Sequence, residues 1–263
     1  MKTKSSSIFS ALILSAALSQ VQGAALIPLL ATGWNQDIVL GLGDPVAGAG
    51  AITGGRTDTM DGGNGQATWY GVGYNTAAPL TGLPTGPTLS ATSGADLTFQ
   101  LQPFVGIAAS VNNAIYNGGT LSLTAPTPLA RLAIIGSTGN GTADITVTVN
   151  YADATTETFG PGLGAGVNAD WFASATSLTF IADGRINTSD GNFQAVGTGN
   201  WRLYENIFTL GNTTSNVVSV DITDGGSGNS AIMAISGEAI PEPSTFGLLG
   251  LSAAGIFLRR RRA

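Results

Sequence analysis

The chain has 263 residues, 43% of them apolar and only 10% charged, with 38 glycines and neither cysteine nor histidine. That composition excludes disulfide frameworks, thiol chemistry, histidine-held metals and Ser-His-Asp catalysis, and it disfavours long soluble helices, which need charged helix formers. Between Ala24 and Ile240 four arginines face 15 acidic residues, leaving that segment 11 units negative, so a phosphate backbone is repelled and nucleic acid is not an expected partner.

Residues 1–23 read as a secretory signal peptide. Lys2 and Lys4 form a positive start, residues 8–18 a short apolar helix, and Val21-Gln22-Gly23 precede a cut before Ala24. Eleven apolar residues are too few to span a bilayer alone.

Residues 24–239 then read as one domain, with no internal repeat and no linker that divides it. Its first part offers two candidate sites. Asp58 and Asp61 lie with Asn64 in a glycine-rich loop, and Asp183 and Asp190 flank Asn187 in a later one. Oxygen-rich loops of this kind can hold Ca²⁺, although neither follows an EF-hand spacing, and solvated turns are the simpler reading. Trp69-Tyr70, just after the first loop, could present a ring on which a sugar stacks; a tryptophan in a sandwich core is the commoner fate. Trp171, between Asp170 and Phe172, reads as core, and Trp34 carries no assignment.

From Leu97 onward the pattern has a period of two. Leu97, Phe99 and Leu101 share one face; Ile145, Val147, Val149 and Tyr151 share another, opposite Thr146, Thr148 and Asn150. This predicts half-buried antiparallel strands. Residues 129–135 and 217–222 read as more deeply buried strands, and residues 230–236 (SAIMAIS) as the last strand. Gly139-Asn140-Gly141, Ala152-Asp153-Ala154, Asp183-Gly184 and Asp190-Gly191 mark the turns. The expected fold is all-β, an antiparallel β-sandwich or jelly roll.

Residues 240–263 form a tail in three parts. Pro241, Glu242 and Pro243 break the preceding structure and keep it extended. Residues 245–258 make an apolar run of roughly 21 Å as a helix at about 1.5 Å per residue, a single transmembrane span through a thin bilayer. Arg259, Arg260, Arg261 and Arg262 would then stay cytoplasmic and hold the domain outside.

Those residues together resemble the PEP-CTERM sorting signal of Gram-negative, exopolysaccharide-producing bacteria. The resemblance implies recognition by an exosortase-type membrane protease, an inner-membrane-tethered precursor, and a product at the cell surface or in the extracellular matrix. A permanent single-pass anchor is the plainer alternative. A second resemblance rests on "RLAIIGSTGNGTADITVTVNYADATTETF", Asp170-Trp171-Phe172, "WRLYENIFTL", "NVVSVDI" and "SAIMAISGEA". It is to galactose-binding-like β-sandwiches, which include carbohydrate-binding modules and discoidin-type domains, with Ala154 standing where such hairpins often carry glycine.

The function expected from these readings is a non-catalytic, carbohydrate-binding surface or matrix protein with no required cofactor, its partner an extracellular polysaccharide. A structural matrix or adhesion protein is the alternative. A glycoside hydrolase needs two carboxyls about 5 to 9.5 Å apart across a cleft, and the three glutamates before the tail (Glu157, Glu205 and Glu238) suggest no such pair.

Overall fold

The computed structural model describes residues 25–41, 59–61, 67–74, 81–85, 88–90, 96–104, 112–163, 166–172, 178–188, 191–194 and 201–240. The signal segment, Asp58, Asp190, Pro241, Glu242, Pro243, the apolar run and the four terminal arginines lie outside these residues. Among the described residues no helix is long and apolar enough to cross a membrane.

The described residues form strands joined by turns. The first eight strands are β1 (Ile27–Pro28), β2 (Ala31–Thr32), β3 (Val39–Leu40), β4 (Ala67–Tyr70), β5 (Thr88–Ser90), β6 (Thr98–Gln100), β7 (Ile115–Tyr116) and β8 (Gly119–Thr127). The remaining strands are β9 (Leu129–Gly139), β10 (Ile145–Tyr151), β11 (Thr156–Phe159), β12 (Leu178–Ala182), β13 (Arg185–Asn187), β14 (Phe193–Gln194), β15 (Trp201–Thr209), β16 (Val217–Asp224) and β17 (Asn229–Ala239).

One sheet runs β1-β17-β9-β15-β12, with β7 also on β17, and a second runs β11-β10-β16-β8-β2. Both are antiparallel throughout. Their facing sides enclose one core, where Leu132, Ile134, Ile232 and Ile235 of the first sheet meet Leu121, Val147, Val149, Val220 and Ile222 of the second. The first sheet is covered on its other face as well. There Ala133, Ile135, Ala231, Met233 and Ala234 pack with Val39, Leu40, Trp69 and Tyr70 of a small sheet ordered β14-β13-β4-β3, and with Phe99 of the β5-β6 ribbon.

Burial on both faces explains the near-continuous apolar runs of β9 and β17, since a strand with no wet side has no use for alternation. In β17 a register shift between Ile232 and Ala234 inserts Met233 as a bulge, which lets Ile232 and Ile235 share a face three residues apart. Strand β16, expected to be deeply buried, is instead half-buried. Val217, Val220 and Ile222 point to the core while Ser219 and Asp221 point out, because among the described residues no element packs on the outer face of the second sheet.

The β10–β11 hairpin shows how side chains close the end of that sheet. Ala154 takes a left-handed φ of 65°, the conformation a glycine would adopt without strain. Burial pushes the Glu157 carboxyl up, but the N–H groups of Gly211 (2.9 Å) and Asn212 (2.6 Å) and the Tyr151 hydroxyl (2.7 Å) outweigh it and leave Glu157 below its ordinary value. A carboxyl depressed in the folded state stabilises above the unfolded value, about 4.3 for glutamate, and that stabilisation disappears as pH falls through the lower folded value. The stability advantage of the wild-type domain over Glu157→Gln should therefore be present at pH 7 and shrink on acidification. Denaturant midpoints measured from pH 7 downward check this; a pH-independent difference would show that the ionised carboxylate is not what the three donors hold.

Candidate functional site

Far along the central sheet, where β9 ends, four segments converge. The turn predicted at Gly139-Asn140-Gly141 is present, with Asn140 at a φ of 58°. Gly139 is required there, because a Cβ would lie 2.1 Å from the Met60 carbonyl oxygen. That close crossing sets Asp61 beside Asn140, whose N–H donates to Asp61 Oδ1 at 3.2 Å.

Asp61 is an ion-pair partner in this structure. Arg185 at the start of β13 donates from Nη1 to Asp61 Oδ2, and the Trp171 indole N–H donates to Oδ1 at 3.1 Å. Both members of the ion pair are only 18% exposed at the side chain, and burial pulls the Arg185 guanidinium below its ordinary pKa. Arg185 also donates from Nε to Gln194 at 2.9 Å and lies over the Trp201 ring, with Cζ 4.5 Å from its centroid.

The aromatic rings form a connected series. Trp69 meets Trp171 edge-on at 5.4 Å, Trp171 meets Trp201 at 4.6 Å, and Trp201 meets Phe172 at 5.0 Å. The first three rings are buried; Phe172 is 47% exposed. Its position comes from Asp170, whose carboxylate accepts from the N–H of Phe172 and from the N–H of Gly141, each at 2.8 Å. These bonds pin residues 170–172, so that alternate side chains go opposite ways: Trp171 inward onto Asp61, Phe172 outward. Asp61, Asn140, Asp170, Trp171, Phe172, Arg185 and Trp201 line an open cleft of about 310 Å³, within the range of small-ligand sites.

The platform expected at Trp69-Tyr70 is not where solvent meets an aromatic ring. Both side chains are on β4, fully buried, with Tyr70 packed edge-on against Phe193 at 5.7 Å. The physical reason is that β4 is an inner strand of the small sheet and faces the central one, so all four of its residues are enclosed. Of the four aspartates proposed for a cation, Asp61 and Asp183 are described, and Asp58 and Asp190 lie outside the described residues. Asp61 carries a guanidinium against its carboxylate, and Asp183 sits in the exposed turn between β12 and β13, where its N–H donates to Thr81 at 3.4 Å. Among the described residues no group of three or more acidic, histidine or cysteine side chains gathers around a common point.

Phe172, Arg185, Trp201, Asn140 and Asp170 were not singled out from the sequence as ligand-binding. The only local signal was Asp170-Trp171-Phe172, an acid and two aromatics in a run, which reads equally well as core.

Residues 239–262 match the PEP-CTERM protein-sorting motif. No curated protein and no solved structure matches the chain. The chain thus carries the sorting signal of an exported protein, made as a membrane-anchored precursor and processed to the cell surface by an exosortase-type membrane protease.

Proposed function

We propose that this is a non-catalytic surface or exopolysaccharide-matrix protein whose galactose-binding-like β-sandwich binds carbohydrate in the Phe172 cleft. The observation that carries the reading is Phe172 itself. It is an exposed ring on an otherwise buried stack of three tryptophans, so ordering it on a ligand costs little side-chain entropy. A sugar offers such a ring the apolar C–H face of a pyranose, and offers the polar rim of Asn140, Arg185 and Asp61 its hydroxyls. The cleft's two carboxylates support binding over hydrolysis. Asp61 already accepts from three donors and Asp170 from two backbone N–H groups, so neither is placed as an acid or a nucleophile. A calcium ion at Asp61 would face the Arg185 charge, so no cofactor is assigned.

The test is a glycan array with purified 24–240, with and without chelator, in the wild type and Phe172→Ala. The expected result is selective binding, insensitive to chelator and weakened about tenfold or more in the variant, the size of one aromatic stacking contact. Equal binding by both proteins would remove the cleft from the account. A folded protein that binds nothing would instead be a structural matrix component.

A further inference from the structure

The sorting motif requires that the folded domain hang, before processing, from a membrane-embedded tail. The structure shows how little chain separates the two. Strand β17 stays paired to its last residue, Ala239 opposite Leu129, and the Ile240 N–H still donates to the Pro128 carbonyl at 3.3 Å. Pro241 follows at once. Only residues 241–244 separate the domain from the apolar run that begins at 245, at most about 13 Å of extended chain, so the end of the central sheet that carries Ile240 is held close to the bilayer.

That end has an uneven surface. On the β1 side, Ile27 is 52% and Leu30 55% exposed, the two most exposed large apolar side chains among the described residues. Ile27 pairs with Gly237, two residues before β17 ends, and the Leu30 carbonyl accepts from Thr124 at 2.9 Å. The end of β8 beside them exposes Ala125 and Pro126. No charged residue occurs from Ala25 to Gln36 or from Leu121 to Ala130. On the β11 side of the same end lie Asp153 and Glu157. The charges on the β1 side are the exposed Asp96, whose carbonyl accepts from the Leu26 N–H at 2.7 Å, and Glu238, neutralised by Arg131. In a strongly acidic domain facing anionic lipid headgroups, this less charged, more apolar side is therefore the one that can approach.

We propose that the precursor docks on the lipid surface through a rim made of Ile27, Leu30, Ala125 and Pro126, around the point where the chain leaves at Ile240. The tether supplies the effective concentration that so small a patch would otherwise lack. Docking also orients the molecule. Strand β9 runs the 11 residues from Leu129 at the rim to Gly139 beside the cleft, about 33 Å at roughly 3.3 Å per residue. The cleft then opens away from the membrane, and the rim is released to solvent only when the tail is cut. The proposal stands on the sorting motif and the rim, whatever the cleft binds.

The chain has no cysteine, so single labels are clean. The full-length precursor is reconstituted in lipid vesicles with a fluorophore at Ala125→Cys, or, as a control, at Ser227→Cys in the exposed turn at the opposite end of β17. A lipid-borne quencher should quench the Ala125 probe several-fold more strongly than the Ser227 probe. Adding Ile27→Ser and Leu30→Ser should reduce the Ala125 quenching at least threefold, with circular dichroism unchanged. Equal quenching at both sites overturns the proposal. So does a difference that survives the double substitution, since the tether alone would then account for it. Quenching protection that appears only with the protease in the vesicle would assign the rim to a protein partner and equally overturn lipid docking.

Discussion

Asp61→Ala should destabilise the folded domain by about 3 kcal/mol, the usual result of removing one partner of a buried ion pair. The substitution strips three donors at once: Arg185 Nη1, the Trp171 indole N–H at 3.1 Å and the Asn140 N–H at 3.2 Å. Arg185 is left largely enclosed with its charge uncompensated, in a place where burial already lowers its pKa. Exposure of 18% keeps some screening, which holds the expectation at the lower end of the range for fully buried pairs. Asp61→Ala/Arg185→Met should regain most of the loss, because an apolar pair leaves no orphaned charge. Urea denaturation of 24–240 and the two variants measures both. A loss under about 0.5 kcal/mol for Asp61→Ala would mean that the pair behaves as an ordinary surface salt bridge. The same series separates stability from binding: if Asp61 and Arg185 also meet ligand, Asp61→Ala/Arg185→Met should be stable yet bind weakly.

Replacement of Pro241, Glu242 and Pro243 by alanine should leave nearly all of the protein uncleaved in the membrane, with release falling at least tenfold. Two features make these three residues more than a spacer. They lie within the segment that matches the sorting motif, and only Ile240 separates them from β17. A proline has no N–H, so Pro241 cannot prolong the ladder that Ile240 still joins through the Pro128 carbonyl. An alanine there could extend the strand and draw the cut site into the fold. Immunoblots of membrane and medium fractions decide the outcome, and unchanged release would dismiss the tripeptide as the protease's cue. Deleting Arg259, Arg260, Arg261 and Arg262 belongs to the same experiment, because loss of the positive stop would let the tail slip and disturb the topology of the precursor.

Much of the strand plan could be read along the chain. Ile145, Val147, Val149 and Tyr151 alternate with polar residues and do line the core between the two large sheets. The turns at Gly139-Asn140-Gly141 and Ala152-Asp153-Ala154 occur as written, helped by left-handed conformations at Asn140 and Ala154. The third layer was not readable. Whether residues such as Ala133 and Ile135 face solvent or a second core depends on β4 arriving from more than 60 residues upstream. Sequence periodicity reports one-sided or two-sided burial, never what provides the cover.

The sequence by itself determined the export address and the strand-forming segments. Both are local properties: a proline-bounded apolar run with an arginine end, and a two-residue alternation of β-branched and polar side chains. Only the tertiary structure decided which aromatic meets solvent and which carboxylate meets a cation. Trp69 and Phe172 are alike in a sequence, but one strand is covered by the central sheet and the other residue is turned outward by Asp170. Asp61 read as a loop oxygen until Arg185, 124 residues away, was brought to its side. Contacts of that separation depend on chain topology, which no local pattern encodes.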